Sequence, residues 1–502
     1  MTANEFVGAI DQGTTGTRWM IFDRHSRVIA NAYQRHEQSY PKPGWVEHDP
    51  VEIWEATASV INEGLSEAGI DATQLAAIGI TNPRETTVLW DRETGEPIHP
   101  AIVWQDRRTT KRVEALIDAG ASEWIRARTG LEIDAYFSAT KAEWLLEQES
   151  DSLRDRANAG ELCLGTIDSW LIYQLTGNHV TDVTNASRTM LYNIHELEWD
   201  ERLLETFDIP RAILPEVRPS VDPEGYGHTH QELFGASIPV TGALGDQQAA
   251  LFGQTCFNRG EAKNTYGTGS FYLTNTGNTP VDSEHGLLTT IAYQIGEEAP
   301  HYALEGSIFI TGAAVEWLED MALIPDAEAS EPLAATVDST DGVYFVPAFT
   351  GLGAPHWDGR ARGTIIGITR GTRPAHLVRA ALEAIAFQTR DVAEAMEADL
   401  GETVSRLHVD GGAVQNNLLC QLQADLLDRP IIRTAINETT ALGAAYAAGL
   451  AVGYWEGLDH LREQWEEERG FTSQADPDTV EQRYNRWKEA VKRSQHWAKE
   501  SN

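Results

Sequence analysis

Val7-Gly8-Ala9-Ile10-Asp11-Gln12-Gly13-Thr14-Thr15-Gly16-Thr17-Arg18-Trp19-Met20-Ile21-Phe22 is the stretch on which the fold turns. Val7 to Ile10 is an apolar run of strand length, Asp11 to Thr17 a Gly/Thr turn, and Arg18 to Phe22 a returning strand. The segment therefore predicts a hairpin with a polar tip. Far downstream, Asn264-Thr265-Tyr266-Gly267-Thr268-Gly269-Ser270-Phe271-Tyr272-Leu273 repeats the plan, with β-prone residues on both sides of a Gly-Thr-Gly tip. Two such hairpins predict a duplicated domain, with the boundary just before the second, near Gly253.

Helical signals fill the intervals. Asp49 is placed to cap a helix with Pro50 at its first position and Glu52 closing a capping box, and Trp54, Ala58, Ile61 and Leu65 then share one face. Leu377, Ala381, Leu382, Ile385, Val392 and Met396 mark a long amphipathic helix opened after Pro374 and stopped at Gly401. Strand and helix patterns alternate in both halves, so the fold class is α/β. No long Gly/Ser linker appears, so the halves are expected to close on each other as a cleft. The Ala/Gly-rich run from Ala441 to Trp455 is too short to span a bilayer and reads as a buried helix. The charged tail after Glu466 is expected to be a solvated helix.

Composition narrows the function classes. The 502 residues carry 76 Asp and Glu against 39 Lys and Arg, a formal charge of −37 spread along the chain, which repels a phosphate backbone and excludes nucleic acid as a partner. Lysine is scarce, with Lys42, Lys111, Lys141, Lys263, Lys488, Lys492 and Lys499 the only examples. Such an excess of carboxylates destabilises a compact chain at low salt. The repulsion fades when the Debye length falls to ~3 Å in molar salt, so the composition indicates a halophilic host. The three cysteines, Cys163, Cys256 and Cys420, are far apart and form no C-x-x-C pair, which fits reduced core thiols. Met1-Thr2-Ala3-Asn4-Glu5 lacks the basic start and apolar run of a secretory signal, so a cytoplasmic location is expected.

Phosphate is held by backbone N–H groups, hydroxyls and a cation, with carboxylates nearby for magnesium. Asp11 to Arg18 supplies each of these except the metal, although a plain Gly-rich hairpin would show the same residues. No lysine follows a glycine, which excludes the Walker P-loop. A third piece, Leu407-His408-Val409-Asp410-Gly411-Gly412-Ala413-Val414-Gln415-Asn416-Asn417, reads as a strand leading through paired glycines into a helix start, where a ligand can approach the backbone closely.

This order of motifs resembles the superfamily of sugar kinases, hexokinase, actin and heat-shock ATPases. Within it the chain is similar to the glycerol kinases from about Phe6 to about Lys492. The resemblance is carried by Tyr40 to Pro50, Arg84-Glu85-Thr86-Thr87, Trp104-Gln105, Thr184 to Met190, Gly245 to Gln254 and Phe349 to Pro355. It implies two actin-like (ribonuclease H-like) ATPase domains enclosing a cleft. Residues 1–252 would carry the glycerol pocket and the first phosphate hairpin, and residues 253–502 the second hairpin and the adenosine site.

The resemblance also implies an activity, the ATP- and Mg2+-dependent phosphorylation of glycerol to sn-glycerol 3-phosphate as the first step of glycerol catabolism. Asp246 would be the general base and Arg18 a second catalytic group on the phosphates, although an Asp before Gln-Gln-Ala also suits a helix cap. Arg84, Glu85, Tyr136, Asp246 and Gln247 would bind the hydroxyls, with Trp104 and Phe271 as apolar walls. Thr14, Thr15, Gly16, Arg18 and Thr268 would hold phosphates, Gly312, Glu316, Gly412 and Asn416 the adenosine side, and Asp11 with Asp246 the magnesium. A dimer or tetramer is expected by analogy. Three positions depart from the family pattern: Gly16 where serine is common, Pro83 where glutamine is usual, and Glu316 where glutamine is usual. The segment from His228 to Pro239 holds no Arg or Lys, so the sugar-bisphosphate inhibition of bacterial relatives is expected to be absent, and His228 and His230 read as surface histidines.

Overall fold

The computed structural model describes residues 5–147 and 151–498. Its first sheet has six strands: β1 (Phe6–Gln12), β2 (Gly16–Phe22), β3 (Val28–Arg35), β4 (Leu75–Asn82), β5 (Gly227–His228) and β6 (Pro239–Gly245), in the order β5-β6-β4-β1-β2-β3. β1, β2 and β3 pair antiparallel, while β4 runs parallel to β1 and β6 parallel to β4. The predicted hairpin is there, with strands longer than the apolar runs, so that only residues 13–15 form its tip.

A second sheet of seven strands comprises β7 (Ala262–Tyr266), β8 (Ser270–Gly277), β9 (Leu288–Tyr293), β10 (His301–Ile308), β11 (Leu407–Asp410), β12 (Ile431–Thr434) and β13 (Glu467–Phe471), in the order β9-β10-β8-β7-β11-β12-β13. The duplication is visible in the register. β10-β8-β7 are antiparallel and β11 and β12 follow in parallel, repeating β3-β2-β1 with β4 and β6.

The helices follow most of their signals. In α1 (Pro50–Ala68) Asp49 accepts a hydrogen bond from the Val51 amide, but the capping box does not close, because the Glu52 carboxylate turns to the Glu37 amide at 3.0 Å. The buried face of α1 runs through Ile53, Thr57, Val60, Ile61 and Gly64, and Trp54 and Ala58 lie at its edge, half-buried. The predicted stripe is thus rotated, because the sheet under α1 presents the Trp19 indole, which needs Gly64 to approach. Among the further helices, those that frame the site and the second core are α2 (Asp246–Gly253), α3 (Gly312–Asp320), α4 (Pro374–Leu400), α5 (Asn417–Leu427), α6 (Thr439–Ala451) and α7 (Pro477–Ser494). Helix α4 ends on Gly401 at φ 73°, a left-handed cap.

The tail corrects its expectation. Glu467 to Phe471 is an edge strand of the second sheet, and α7 buries Val480, Tyr484, Trp487, Ala490 and Val491 in the core. Its many charges lie on one face only, so overall polarity concealed an amphipathic helix.

Helix α6 lies late in the chain yet packs on β1, β4, β6 and α2 of the first sheet. Backbones meet there directly. A Cβ on Gly242 would lie 2.5 Å from the Ala448 nitrogen, and Gly79 and Gly253 would strike the carbonyls of Ala444 and Thr439. Cys163, Cys256 and Cys420 are buried free thiols. Among the described residues no helix is long and apolar enough to cross a membrane.

Candidate active site

The first hairpin is braced from within. The Gly13 amide donates to the Gly16 carbonyl, while Gln12 Nε2 and Gln38 Nε2 each donate, at 2.7 Å, to the carbonyls of Gly13 and Thr14. Thr17 Oγ1 fixes the Gln12 amide. Tip carbonyls are therefore engaged inward, with Thr14 half-buried and Thr15 exposed. Gly16 is required in this setting, since a Cβ would meet the Tyr33 hydroxyl at 2.6 Å and the Gln34 carbonyl at 2.5 Å. Arg18 projects from β2 to Glu438 Oε1 and Asn31 Oδ1, each at 3.2 Å.

The second hairpin rests on the start of α3. The Gly267 carbonyl accepts from the Gly312 amide and the Thr268 carbonyl from the Thr311 and Ala313 amides. A cleft of about 460 Å³ opens beside it and is lined by Thr268, Gly312, Glu316, Gly412 and Asn416, which brings five predicted nucleotide residues together. Gly411 turns the chain at φ 94°, and nothing lies within 4 Å of a Cβ on Gly412, so the backbone is open to a ligand. The Asn416 side chain caps α5 by accepting from the Leu419 amide at 2.9 Å and donates to Ser330 Oγ. Thr14, Thr15, Gly16 and Arg18 do not line this cleft.

Thr14 instead touches a second group of residues. Trp104 Nε1 donates to Thr14 Oγ1 at 3.2 Å, and the Trp104 ring meets Tyr136 edge-on with centroids 5.6 Å apart. Arg84 and Glu85 follow the end of β4 and are buried; Glu85 is held at φ 67°, a strained backbone that the surroundings must impose. Asp246 opens α2 right after β6. Its Oδ1 accepts from the Gln247 amide at 2.8 Å, its Oδ2 from Gln247 Nε2 at 3.1 Å, and Arg84 Nε lies 3.2 Å from Oδ1. Gly245 makes this possible, because a Cβ there would strike the Arg84 stem at 2.5 Å. The Arg84 guanidinium also sits 5.8 Å from the Phe271 ring centroid. Arg84, Glu85, Trp104, Tyr136, Asp246, Gln247 and Phe271 thus belong to one cluster of linked contacts, with Arg188 joining Tyr136 to Glu85.

Electrostatics single out four groups here, three of them buried and without a predicted role. Burial raises the Glu305 carboxyl, but the Arg188 and Arg84 guanidiniums overcome it and hold it down at about 2. Arg188 bridges Glu85 (2.7 Å) and Glu305 (3.0 Å). Lys263 Nζ donates to Gln247 Oε1 at 2.6 Å, and burial brings its ammonium down to about 8. Sequence reasoning gave these three no part, although Arg188 lies within the Thr184 to Met190 stretch. Asp11, part-buried, is pushed up to about 7 by desolvation; Arg18 pulls it down, and the carboxylates of Asp246 and Glu438 raise it. Among the described residues no group of three or more His, Cys, Asp or Glu is placed to hold a metal ion.

Comparison with known proteins accords with this geometry. Residues 6–253 match the N-terminal domain, and residues 262–452 the C-terminal domain, of the FGGY family of carbohydrate kinases. The chain is 67% identical to the glycerol kinase of Haloferax volcanii over 510 aligned residues, covering all of both chains. It is 66% identical to that of Halobacterium salinarum over 99% of each. The crystal structure of Plasmodium falciparum glycerol kinase with ADP superposes with a TM-score of 0.92 at 39% identity over 98% of each chain. A xylulose kinase from Lactobacillus acidophilus, at 21% identity and a TM-score of 0.86, shares the fold over 96% of this chain and 97% of that one. The expected pair of actin-like α/β domains is the fold these sugar kinases have in common. The chain belongs to the FGGY family of carbohydrate kinases, and within it stands with the glycerol kinases.

Proposed function

We propose that the chain transfers the γ-phosphoryl group of ATP to a terminal hydroxyl of glycerol, giving sn-glycerol 3-phosphate and ADP, with Asp246 accepting the hydroxyl proton. The observation that carries this is the Asp246 carboxylate, fixed by the Gln247 amide, Gln247 Nε2 and Arg84 Nε while 29% of its side chain stays accessible. Curated glycerol kinases at 62–67% identity supply the substrate pair.

In the reaction the alcohol oxygen bonds to the γ-phosphorus as the bond to the β,γ-bridging oxygen breaks, and ADP departs with that electron pair. The alcohol proton passes to Asp246. Because the transition state is loose, the carboxylate chiefly orients the nucleophile, and catalysis rests on position and charge. Arg18, Thr14, Thr15, Gly16 and Thr268 take the phosphates, and Gly312, Glu316, Gly412 and Asn416 the adenosine side. Glycerol is neutral with three hydroxyls, so Arg84, Glu85, Tyr136, Asp246 and Gln247 bind its oxygens while Trp104 and Phe271 cover its carbons. The hydrogen bond from Trp104 to Thr14 Oγ1 supports placing the first hairpin beside the polyol.

Magnesium fits the donor set. The Asp11 carboxyl feels the negative charges of Asp246 and Glu438 against the positive charge of Arg18, surroundings that suit a cation. Few protein ligands suit Mg2+, which keeps waters and shares phosphate oxygens. When bound it would neutralise charge on the phosphates; Asp11 and Asp246 would hold it. Labour divides between residues 1–252, with the polyol pocket and first hairpin, and residues 253–502, with the second hairpin and adenosine cleft. The cytoplasm is the proposed location.

Asp246→Asn tests the assignment. Turnover is expected to fall ~10²- to 10⁴-fold with the fold and nucleotide binding intact, and near-normal turnover removes Asp246 from the role. Parallel assays of glycerol, xylulose, ribulose, gluconate and erythritol test the substrate.

A further inference from the structure

We propose that Glu305, on β10 of the second sheet, is the positioning residue of the polyol pocket, clamping Arg84 and Arg188 so that one edge of the Arg84 guanidinium faces Asp246 and the substrate. The inference rests on the proposed assignment of Arg84 to glycerol binding.

A guanidinium has five N–H donors in a planar fork. In Arg84, Nη1 donates to Glu305 Oε2 at 2.5 Å and to Gln248 Oε1 at 3.1 Å, and Nη2 donates to Glu305 Oε1 at 3.2 Å. Three donors are thereby spent, two on Glu305 at the end-on face and one on Gln248. The Nε–H and the second Nη2–H remain, side by side on the other edge. Nε is buried without a hydrogen-bond partner and lies 3.2 Å from Asp246 Oδ1. The clamp thus presents a two-donor edge to the base and to any hydroxyl beside it.

Glu305 does more than hold one arginine. Its Oε1 also accepts from Arg188 Nη2 at 3.0 Å, and Arg188 Nε donates to Glu85 Oε1 at 2.7 Å. Glu85 is the second proposed glycerol ligand, held in a left-handed backbone. One carboxylate with 0% exposure thus fixes both polar ligands through two guanidiniums that are themselves buried. Ser307 Oγ donates to the same Oε1 at 3.3 Å, completing its acceptor set.

The geometry is long-range. Glu305 lies 221 residues from Arg84 in sequence, on the sheet that carries the nucleotide cleft. A pocket assembled this way is built by both halves, and a fault in Glu305 reaches glycerol without touching ATP. A buried ion pair with a purely structural role would lower stability and leave the ratio of the two Michaelis constants unmoved.

The test is Glu305→Gln, which keeps shape and one acceptor but removes the charge that the two arginines share, assayed as full-length protein in molar KCl. The glycerol KM is expected to rise about 10- to 100-fold, the loss of a charge-assisted hydrogen bond, while the ATP KM stays within about twofold. Arg188→Lys, which keeps the charge but cannot bridge Glu85 and Glu305, is expected to show the same split. An unmoved glycerol KM in folded Glu305→Gln overturns the clamp, as does a parallel rise in both Michaelis constants. Failure of both variants to fold also overturns it, since the cluster is then a stability device alone. Wild-type protein that does not phosphorylate glycerol would instead overturn the proposed function.

Discussion

Gly443 is where one methyl group should both loosen the protein and displace its proposed base. It lies in α6 where that helix crosses α2. A Cβ placed on it would sit 2.6 Å from the carbonyl carbon of Ala249 and 2.9 Å from the amide nitrogen of Gly253, with the Ala249 oxygen nearer still. Ordinary contact lies at ~3.5–4.0 Å, and every obstructing atom belongs to the α2 backbone, so no rotamer change relieves the overlap. The helices must part by about 1 Å. Alanine gains ~1 kcal/mol of helix propensity over glycine, but overpacking costs ~1–3 kcal/mol or more. With rigid backbone on both sides the clash wins, and Gly443→Ala is expected to lose about 1–2 kcal/mol. Helix α2 begins at Asp246, so the same shift moves the carboxylate. A displacement near 1 Å can cost ~10²-fold in turnover, so turnover should fall with stability. Denaturant unfolding and a coupled kinase assay, both in molar KCl, measure the two effects. Gly359→Ala is the control; its Cβ meets nothing within 4 Å, and it should stay within about 0.5 kcal/mol of wild type. A Gly443→Ala protein as stable and active as wild type refutes the reasoning.

Other outcomes follow from single groups. His408 is buried, stacks on Trp465 and donates from Nδ1 to the Gln254 carbonyl at 3.0 Å, and burial takes its pKa down to about 4. Its contribution to stability is complete above pH 6.5 and lost as pH falls toward 4, because the unfolded chain takes up a proton the folded one refuses; at pH 5 this is about 2 kcal/mol. Unfolding titrations from pH 7 to 5 at fixed KCl should therefore show a shallower acid limb in His408→Gln, and an unchanged slope would remove His408 as a contributor. Trp487→Ala should destabilise by ~3–5 kcal/mol in denaturant melts, since the ring stacks on Phe387 at 5.3 Å and donates to Asp391 at 2.8 Å; a loss under about 1 kcal/mol would return the tail to a solvated role. With a net charge of −37, thermal midpoint and activity should rise together as KCl is raised into the molar range, and full stability without salt would contradict the halophilic assignment.

Local signals were legible wherever neighbours in sequence decide the outcome. The hairpin at Asp11 to Thr17 and its copy at Gly267 to Gly269 rest on turn residues between β-prone runs, and the Asp49 cap and the Gly401 stop are contacts within one turn. Glu52 shows the limit: its spacing from Asp49 fits a capping box, but the Glu37 amide, two residues beyond the end of β3, competes for the carboxylate. The tail failed for a related reason, because counting charges after Glu466 could not show that Tyr484, Trp487 and Val491 fall on one face with a core waiting for them. In the site, residues named by family likeness fall into two groups, one around Asp246 and one around the cleft at Thr268. Glu305 and Lys263 carried no such mark, and Arg188 stood in a family-like stretch without a role, since a lone charge shows its partner only after folding.

By itself the sequence determined much of the strand and helix alphabet, the duplication, the Gly/Thr hairpin tips and a large negative charge, because propensity, periodicity and net charge are properties of short segments or of the sum of residues. Only the tertiary structure decided that α6 crosses back to the first sheet through backbone contacts at Gly79, Gly242, Gly253 and Gly443. It alone placed Glu305 against Arg84, across 221 residues of chain. Both are long-range contacts whose energy comes from desolvation and close packing, quantities that exist only once distant parts of the chain have excluded water from between them.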